Sequence, residues 1–225
     1  MKRTVSVLLI MMICIFSFTA CSEQGSSSET AEQSASKTIA DSSVGEEKSK
    51  NESVSEKDTQ PNKATDSKTL IVYYSWSNNT ETMANYVHDV IGGDIERIEP
   101  VTPYPEDYNE TADQAKNERD TDARPAFKEL QYDPEDYDTI FIGYPIWWYE
   151  LPMIMRTFFD SYDLSGKTII PFNTHEGSSN GGTYDQIKEI EPNATVLEGL
   201  PIKGGDISNA DSPEQVKDWL NGLGY

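Results

Sequence analysis

The sequence predicts an α/β domain over residues 69–225: a doubly wound, five-stranded parallel sheet with helices on both faces. Three observations predict it. Apolar stretches of strand length alternate with stretches of helical periodicity, as in strands joined by crossover helices. Three of the strand-like runs, around Leu70, Ile140 and Ile169, are apolar without alternation, as strands covered on both faces must be. The segments that follow those runs, SWSNNT, YPIWWYELP and NTHEGSSNGG, are unlike ordinary turns and belong at one edge of the sheet.

Each element has its own justification. Thr69 to Tyr74 is apolar and β-branched, a first strand. Thr80 to Ile91 repeats Met83, Val87, Val90 and Ile91 at helical spacing, and Gly92-Gly93 stops it. DIERIE alternates as a half-buried strand does. The prolines from Pro100 to Pro105 break the pattern before a mostly solvated helix, Glu106 to Arg119, with Tyr108, Ala112 and Ala115 on one side. DTIFIGY is the next apolar strand, and Pro152 to Tyr162 a helix turning Ile154, Met155, Phe158 and Phe159 inward. KTIIPFNT, a short helix from Thr183 to Ile190, and a last strand ATVLEGL follow. Ser212-Pro213-Glu214-Gln215 reads as a capped helix start, with Val216, Trp219, Leu220 and Leu223 as its stripe.

The first 68 residues are of another kind. Lys2 and Arg3 precede the apolar run Val5 to Phe18, too short to span a bilayer and matching a secretory signal, residues 1–20. Residues 21–68 carry Ser, Glu, Lys and Thr with no aromatic side chain, a tether that cannot bury enough surface to offset its ordering entropy. The only cysteines are Cys14 and Cys21, so the body of the chain has no disulfide, thiolate nucleophile or cysteine metal site. His88 and His175 lie far apart, which argues against zinc chemistry. The formal net charge of -21 excludes nucleic acid and anionic membrane surfaces as partners of a basic face. Residues 69–225 carry most of it, 29 acidic against 10 basic side chains. That acidity either steers a basic redox partner or keeps the domain soluble. DPEDYD, Asp133 to Asp138, lacks the glycine and the glutamate of a calcium loop and reads as a solvated approach to a strand.

The three unusual loops carry the chemistry. Ser75 to Thr80 joins strand to helix, where the first backbone N–H groups have no internal partner and suit an anion. The hydroxyls of Ser75, Ser77 and Thr80 and the amide of Asn79 add neutral donors. Without a lysine the loop is no Walker loop, and a terminal monophosphate suits it better. The same residues could merely cap the helix. Tyr144, Trp147, Trp148 and Tyr149, crowded between Gly143 and Glu150, offer flat faces for a planar ring. Thr174 to Gly182 offers glycines and small polar residues whose N–H groups can approach a ring edge.

These segments together resemble the flavodoxin superfamily, in the group with a Gly-Tyr-Pro-Ile-Trp-Trp loop and a Pro-Phe-x-Thr-His/Ser loop. The likeness runs from Ser75–Thr80 through Tyr104-Pro105, Tyr108, Arg124-Pro125 and Gly143–Trp148 to Gly166-Lys167 and Gly177. The resemblance implies strand order 2-1-3-4-5 and FMN as cofactor. It implies that Ser75, Trp76, Ser77, Asn78, Asn79 and Thr80 form the phosphate loop. Pro145, Ile146, Trp147 and Trp148 would line the isoalloxazine, and Thr174, His175, Glu176 and Gly177 would meet its pyrimidine edge. Asn78 stands where the family often has glycine, and asparagine tolerates left-handed angles. His175 could supply a donor or proton as a catalytic group, or only its backbone; Glu176 would oppose a reduced, anionic flavin. Phe18-Thr19-Ala20-Cys21 resembles a bacterial lipobox, implying lipidation at Cys21 and an anchor on the extracytoplasmic face. The expected function is an FMN oxidoreductase passing electrons to quinones or another redox partner. A tethered electron carrier and a non-catalytic binding lipoprotein are the alternatives.

Overall fold

The computed structural model describes Lys68–Tyr225; the signal sequence, Cys21 and the tether expected over residues 1–67 lie outside the described residues. In chain order the regular elements are β1 (Thr69–Tyr73), α1 (Asn79–Ile91), β2 (Asp94–Arg97), α2 (Tyr108–Asp120), β3 (Thr139–Pro145), α3 (Met153–Ser161), β4 (Thr168–His175), α4 (Thr183–Ile190), β5 (Thr195–Val196), β6 (Leu200–Lys203) and α5 (Ser212–Leu223). All strand pairs are parallel, in the order β2-β1-β3-β4-β5, with β6 also on β4. None of the helices described is long and apolar enough to cross a membrane.

The unbroken apolar runs are explained by two cores, one on each face of the sheet. Successive strand side chains point to opposite faces. Leu70, Val72, Ile140, Ile142 and Ile169 therefore meet Ile154, Met155 and Phe158 of α3 and Ile187 of α4. Ile71, Phe141, Ile170 and Phe172 meet Met83 and Val87 of α1 and Val216 and Leu220 of α5. Each such side chain, fully buried, contributes roughly 1.5–3 kcal/mol. Gly143 is paired in register with Phe172, whose ring would collide with any Cβ at that position. Val90, expected in the buried stripe of α1, is 39% exposed.

The last strand departs from the sequence reading. The segment ATVLEGL is not continuous strand: β5 ends at Val196, opposite Ile169, and β6 resumes at Leu200, opposite Phe172, three residues further along β4. The cause is Pro171. Its carbonyl faces Gly199, so the missing N–H is also on the side of the fifth position. Strand pairing stops on either side of the proline, and the two short strands share one place in the sheet.

The start of α5 also differs. Asp211 is the N-cap residue, with no side-chain cap bond, and Ser212 is already helical, its hydroxyl donating to the carbonyl of Asp206 at 2.8 Å. The DPEDYD segment forms a one-turn 3-10 helix capped by Asp133, after which Tyr137 enters the core and donates to Asp94 at 2.7 Å.

Candidate functional site

Loops leaving the carboxyl ends of β1, β3 and β4 converge at one edge of the sheet and enclose, with one side of α2, a cavity of about 420 Å³. Trp76 contributes from the first loop, Ile146, Trp147, Trp148 and Tyr149 from the second, and Glu176, Gly177 and Ser178 from the third. Tyr108, Thr111, Ala112 and Ala115 form the wall on α2. This is the size and the apolar, aromatic lining of a small-molecule site.

The first loop is built to present donors. Asn78 takes a left-handed conformation, φ 67°, and starts α1 without a side-chain cap bond. The first N–H groups of α1 are thus left for a ligand at the positive end of the helix. Ser75 is 3% exposed, and its hydroxyl is the one buried side-chain polar atom among the described residues with no hydrogen-bond partner. An orphan of this kind costs about 1–3 kcal/mol, and a phosphate at the loop would give it a partner. Thr80 Oγ1 lies 2.8 Å from Thr174 Oγ1, tying the first loop to the end of β4. Trp76 Nε1 donates to the carbonyl of Pro105 at 2.9 Å, which holds its ring at the cavity. Ser77 is exposed and Asn79 half-buried.

Arg97, at the end of β2, is a residue that the sequence analysis missed. Its guanidinium donates to the Ser75 carbonyl at 2.7 Å and pairs with Glu81 at 2.9 Å. Glu81 also accepts from Tyr73 Oη at 3.2 Å, and burial followed by this carboxylate pushes the phenol up to about 12. The one acid in the first turn of α1 is thereby drawn aside and neutralised. The charge the loop lacks in sequence sits behind it in space.

The second loop is a tight hairpin. Trp147 and Glu150 exchange two backbone bonds, 3.1 and 3.0 Å, and Trp148 and Tyr149 between them have φ of 53° and 65°. Positive φ at both central residues belongs to a type I′ turn, usually Asn-Gly. Bulky side chains there cost about 1–2 kcal/mol each. The four aromatics of the loop separate into different roles. Tyr144, expected as ring surface, is fully buried in the core, and its hydroxyl is 2.9 Å from Thr183 Oγ1. Trp147 lines the cavity, held by edge contacts to Tyr74 and Tyr104 at 5.5 and 5.1 Å. Trp148 reaches α2, donating to the carbonyl of Ala112 at 2.9 Å under the guanidinium of Arg119. Tyr149 stands in solvent. Pro145 ends β3, outside the cavity lining.

In the third loop, fully buried Asn173 donates to the carbonyl of Ser179 at 3.0 Å and accepts from Tyr184 Oη at 2.7 Å, setting the path of the chain. His175 is not among the residues that line the cavity. Its Nδ1 accepts the backbone N–H of Gly177 at 2.9 Å, which commits one of the N–H groups expected at a ring edge. Burial holds this histidine below its ordinary pKa, with Glu176 opposing the shift and Lys203 adding to it. The Glu176 carboxylate reaches Gly204, beyond β6. A Cβ at Gly204 would lie 2.5 Å from Glu176 Oε1 and 2.7 Å from Asn79 Nδ2. A fourth segment thus closes against the first and third loops, one that the sequence reading had assigned to no site.

These residues fit the phosphate and the ring of a flavin mononucleotide: an orphan hydroxyl and an uncapped helix start on one side, an aromatic cavity on the other. Comparison with known proteins agrees with the architecture. A flavodoxin family model matches residues 68–223, and the chain belongs to that family. A protein from Bacteroides uniformis assigned as a flavoprotein is 31% identical, with a TM-score of 0.61 over 69% of this chain and 98% of its own. One from Bacteroides eggerthii, assigned likewise, is 32% identical, with a TM-score of 0.60 over 71% of this chain and 99% of its own. A flavoprotein from Lactobacillus acidophilus, crystallised in complex with FMN, shares the fold at 23% identity and a TM-score of 0.55, over 68% of this chain and 99% of its own. Comparison with curated proteins gave no match.

Proposed function

We propose that the chain holds FMN at this sheet edge and works as an oxidoreductase passing electrons to quinone-type or other acceptors. The observation that carries the reading is the unpartnered, buried hydroxyl of Ser75 at the foot of an uncapped helix. A buried polar group without a partner inside the protein is best explained by a partner that comes from outside. The Lactobacillus acidophilus flavoprotein, crystallised in complex with FMN, supports the same ligand.

When bound, FMN supplies reversible one- and two-electron transfer; the chain supplies the rest. Ser75, Ser77, Asn79 and Thr80, with the first N–H groups of α1, bind the phosphate. Arg97 holds the loop from behind and offsets Glu81. Ile146, Trp147 and Trp148 wall the ring and exclude water. From the third loop Glu176 and Gly177 line the cavity beside its pyrimidine edge. His175 orders that loop through Nδ1, which leaves Nε2 as the ring nitrogen that carries its proton. Lipidation at Cys21 and the residue 22–68 tether place the domain at the outer face of the membrane in this reading, on the strength of the sequence alone.

A second reading, an electron carrier without its own substrate, is favoured by membership in the flavodoxin family. The test of the first is the visible spectrum of the purified protein and the flavin released by acid. A yellow protein releasing FMN, and oxidising a pyridine nucleotide with a quinone, supports an oxidoreductase. A yellow protein without that turnover supports the carrier, and a protein that binds no flavin refutes both.

A further inference from the structure

We propose that a second cleft, beside the C-terminal half of α2, binds the ammonium group of an aliphatic primary amine through Glu118. The cleft has a volume of about 340 Å³ and runs between the β2–α2 loop and the segment that follows α2, with Gln114 and Glu118 entering from the helix. That volume suits a small molecule. The cleft shares no lining residue with the aromatic cavity, and nothing in the inference depends on a flavin.

The carboxylate marks the cleft as a site. Glu118 is only 8% exposed, and an acid is almost never buried so far without a charged partner. Its partners here are neutral: Tyr104 Oη donates to Oε2 and the Gln114 amide to Oε1, both at 2.8 Å. None of the ion pairs among the described residues includes it. A carboxylate has about four lone-pair sites, so two hydrogen bonds leave it able to accept more. They also leave a buried charge with no opposite charge beside it, which is costly. The neighbours register that charge. After burial, Glu118 is the next influence that raises the phenols of Tyr104 and Tyr74 above their ordinary range.

The rest of the lining selects the ligand class. Gln114 must give its amide nitrogen to Glu118, so its carbonyl oxygen, without a partner among the described residues, is a second acceptor. The hydroxyl of Thr102 is a third. An ammonium group has three N–H donors and nothing that accepts, which matches this set. Arg124, the one cation of the lining, is already engaged: it pairs with Asp122 at 2.7 Å and with Asp160. Three carboxylates against one guanidinium leave two negative charges in excess around the cleft. That excess draws a cation and repels a carboxylate or phosphate. Val101, Ala123 and Pro125 offer apolar surface to a short aliphatic chain. No metal-binding cluster of side chains exists among the described residues, which favours an organic cation over a metal ion.

The test titrates the full chain by calorimetry with n-butylamine, 1,4-diaminobutane, a lysine blocked at both backbone ends, tetramethylammonium and butyrate. Salt is held at about 0.15 M, where attraction to exposed acids is largely screened. The primary amines are expected to bind at least about tenfold more tightly than tetramethylammonium, which has the charge without the N–H donors, and butyrate should give no heat. If the diamine binds more tightly than the blocked lysine, a free amine is the ligand; the reverse order assigns the site to a lysine side chain of a partner, and either order sustains it. Glu118→Gln should lower the affinity for butylamine at least about tenfold. Because that change disturbs a buried hydrogen-bond pair, Val101→Trp provides a second variant, at an exposed position of the lining. It should narrow the cleft and weaken butylamine about threefold or more, with the melting temperature unchanged. Equal affinities for butylamine and tetramethylammonium, amine binding that survives both variants, or no heat from any amine would overturn the inference. The titrations are run with and without FMN, so a chain that binds amine but no FMN refutes the flavin reading and leaves this site standing.

Discussion

Replacing Ser75 by alanine should move two measurements in opposite directions. In the fold as it stands the hydroxyl is buried and bonds to nothing, so its loss removes a desolvated orphan and costs no bond. Without ligand, the free energy of unfolding should stay level or rise by up to about 1 kcal/mol, the low end of the penalty for an unsatisfied buried group. With FMN the sign reverses. A hydrogen bond to a charged acceptor contributes about 1.5–3 kcal/mol, so the affinity for FMN should fall roughly 10- to 150-fold. Riboflavin, which has the same ring and no phosphate, should bind the variant as it binds the unaltered protein. Quenching of flavin fluorescence gives both affinities, and urea unfolding followed by tryptophan emission gives the stability. If FMN affinity is unchanged, or riboflavin loses as much as FMN, Ser75 does not meet the phosphate. A loss of ligand-free stability above about 1 kcal/mol would show a structural role that the geometry does not contain.

Three further outcomes follow from the same site and its surroundings. Arg97→Met removes the donor to the Ser75 carbonyl and the partner of Glu81; because the pair is about one-third exposed, a loss near 1 kcal/mol in FMN affinity is expected, read by the same titration, and no loss would detach Arg97 from the site. Trp147→Ala should weaken FMN by ~1–3 kcal/mol and also lower stability, since the indole packs against Tyr74 and Tyr104; unchanged affinity would remove it from the ring wall. Glu191 concerns the fold alone: burial first, then Asp163 and Asp160, pushes its carboxyl up to about 7. An acid raised above its unfolded value gives stability that is complete below about pH 4.5 and is lost as pH rises through about 7. Glu191→Gln should therefore flatten the fall in melting temperature from about pH 5 to pH 8 and stabilise by on the order of 1 kcal/mol at the upper end, discounted for solvent screening; an unaltered profile would assign the loss to other groups.

Much of the architecture was legible because its signals are local. Unalternating runs around Leu70, Ile140 and Ile169 can only be strands covered on both sides, and the sheet order came with the resemblance carried by the loops. The break in the last strand was written in the sequence too, in Pro171. Its meaning depends on which side of β4 the missing N–H faces, and a one-dimensional reading does not contain that. Within the site, the residues that contact by type were visible: hydroxyls at a helix start, aromatics after a strand. The supporting residues were not, since Arg97, Asn173 and Gly204 act through neighbours distant in sequence. Tyr144 shows the converse error. It is the first aromatic of a loop-like string, yet β3 runs on through it to Pro145, and the strand's alternation sends its ring into the core. The left-handed turn at Trp148 and Tyr149, residues named as ring faces, was not legible for a different reason, because nothing in their residue types announces positive φ.

The central claim is that this sheet edge grips a terminal phosphate and an aromatic ring at once. Calorimetric titration of the purified full chain with FMN and with riboflavin, under identical conditions, tests it most directly. FMN is expected to bind at least about a hundredfold more tightly, the equivalent of roughly 3 kcal/mol from the phosphate contacts. Equal affinities for the two flavins, or no heat from either, would contradict it.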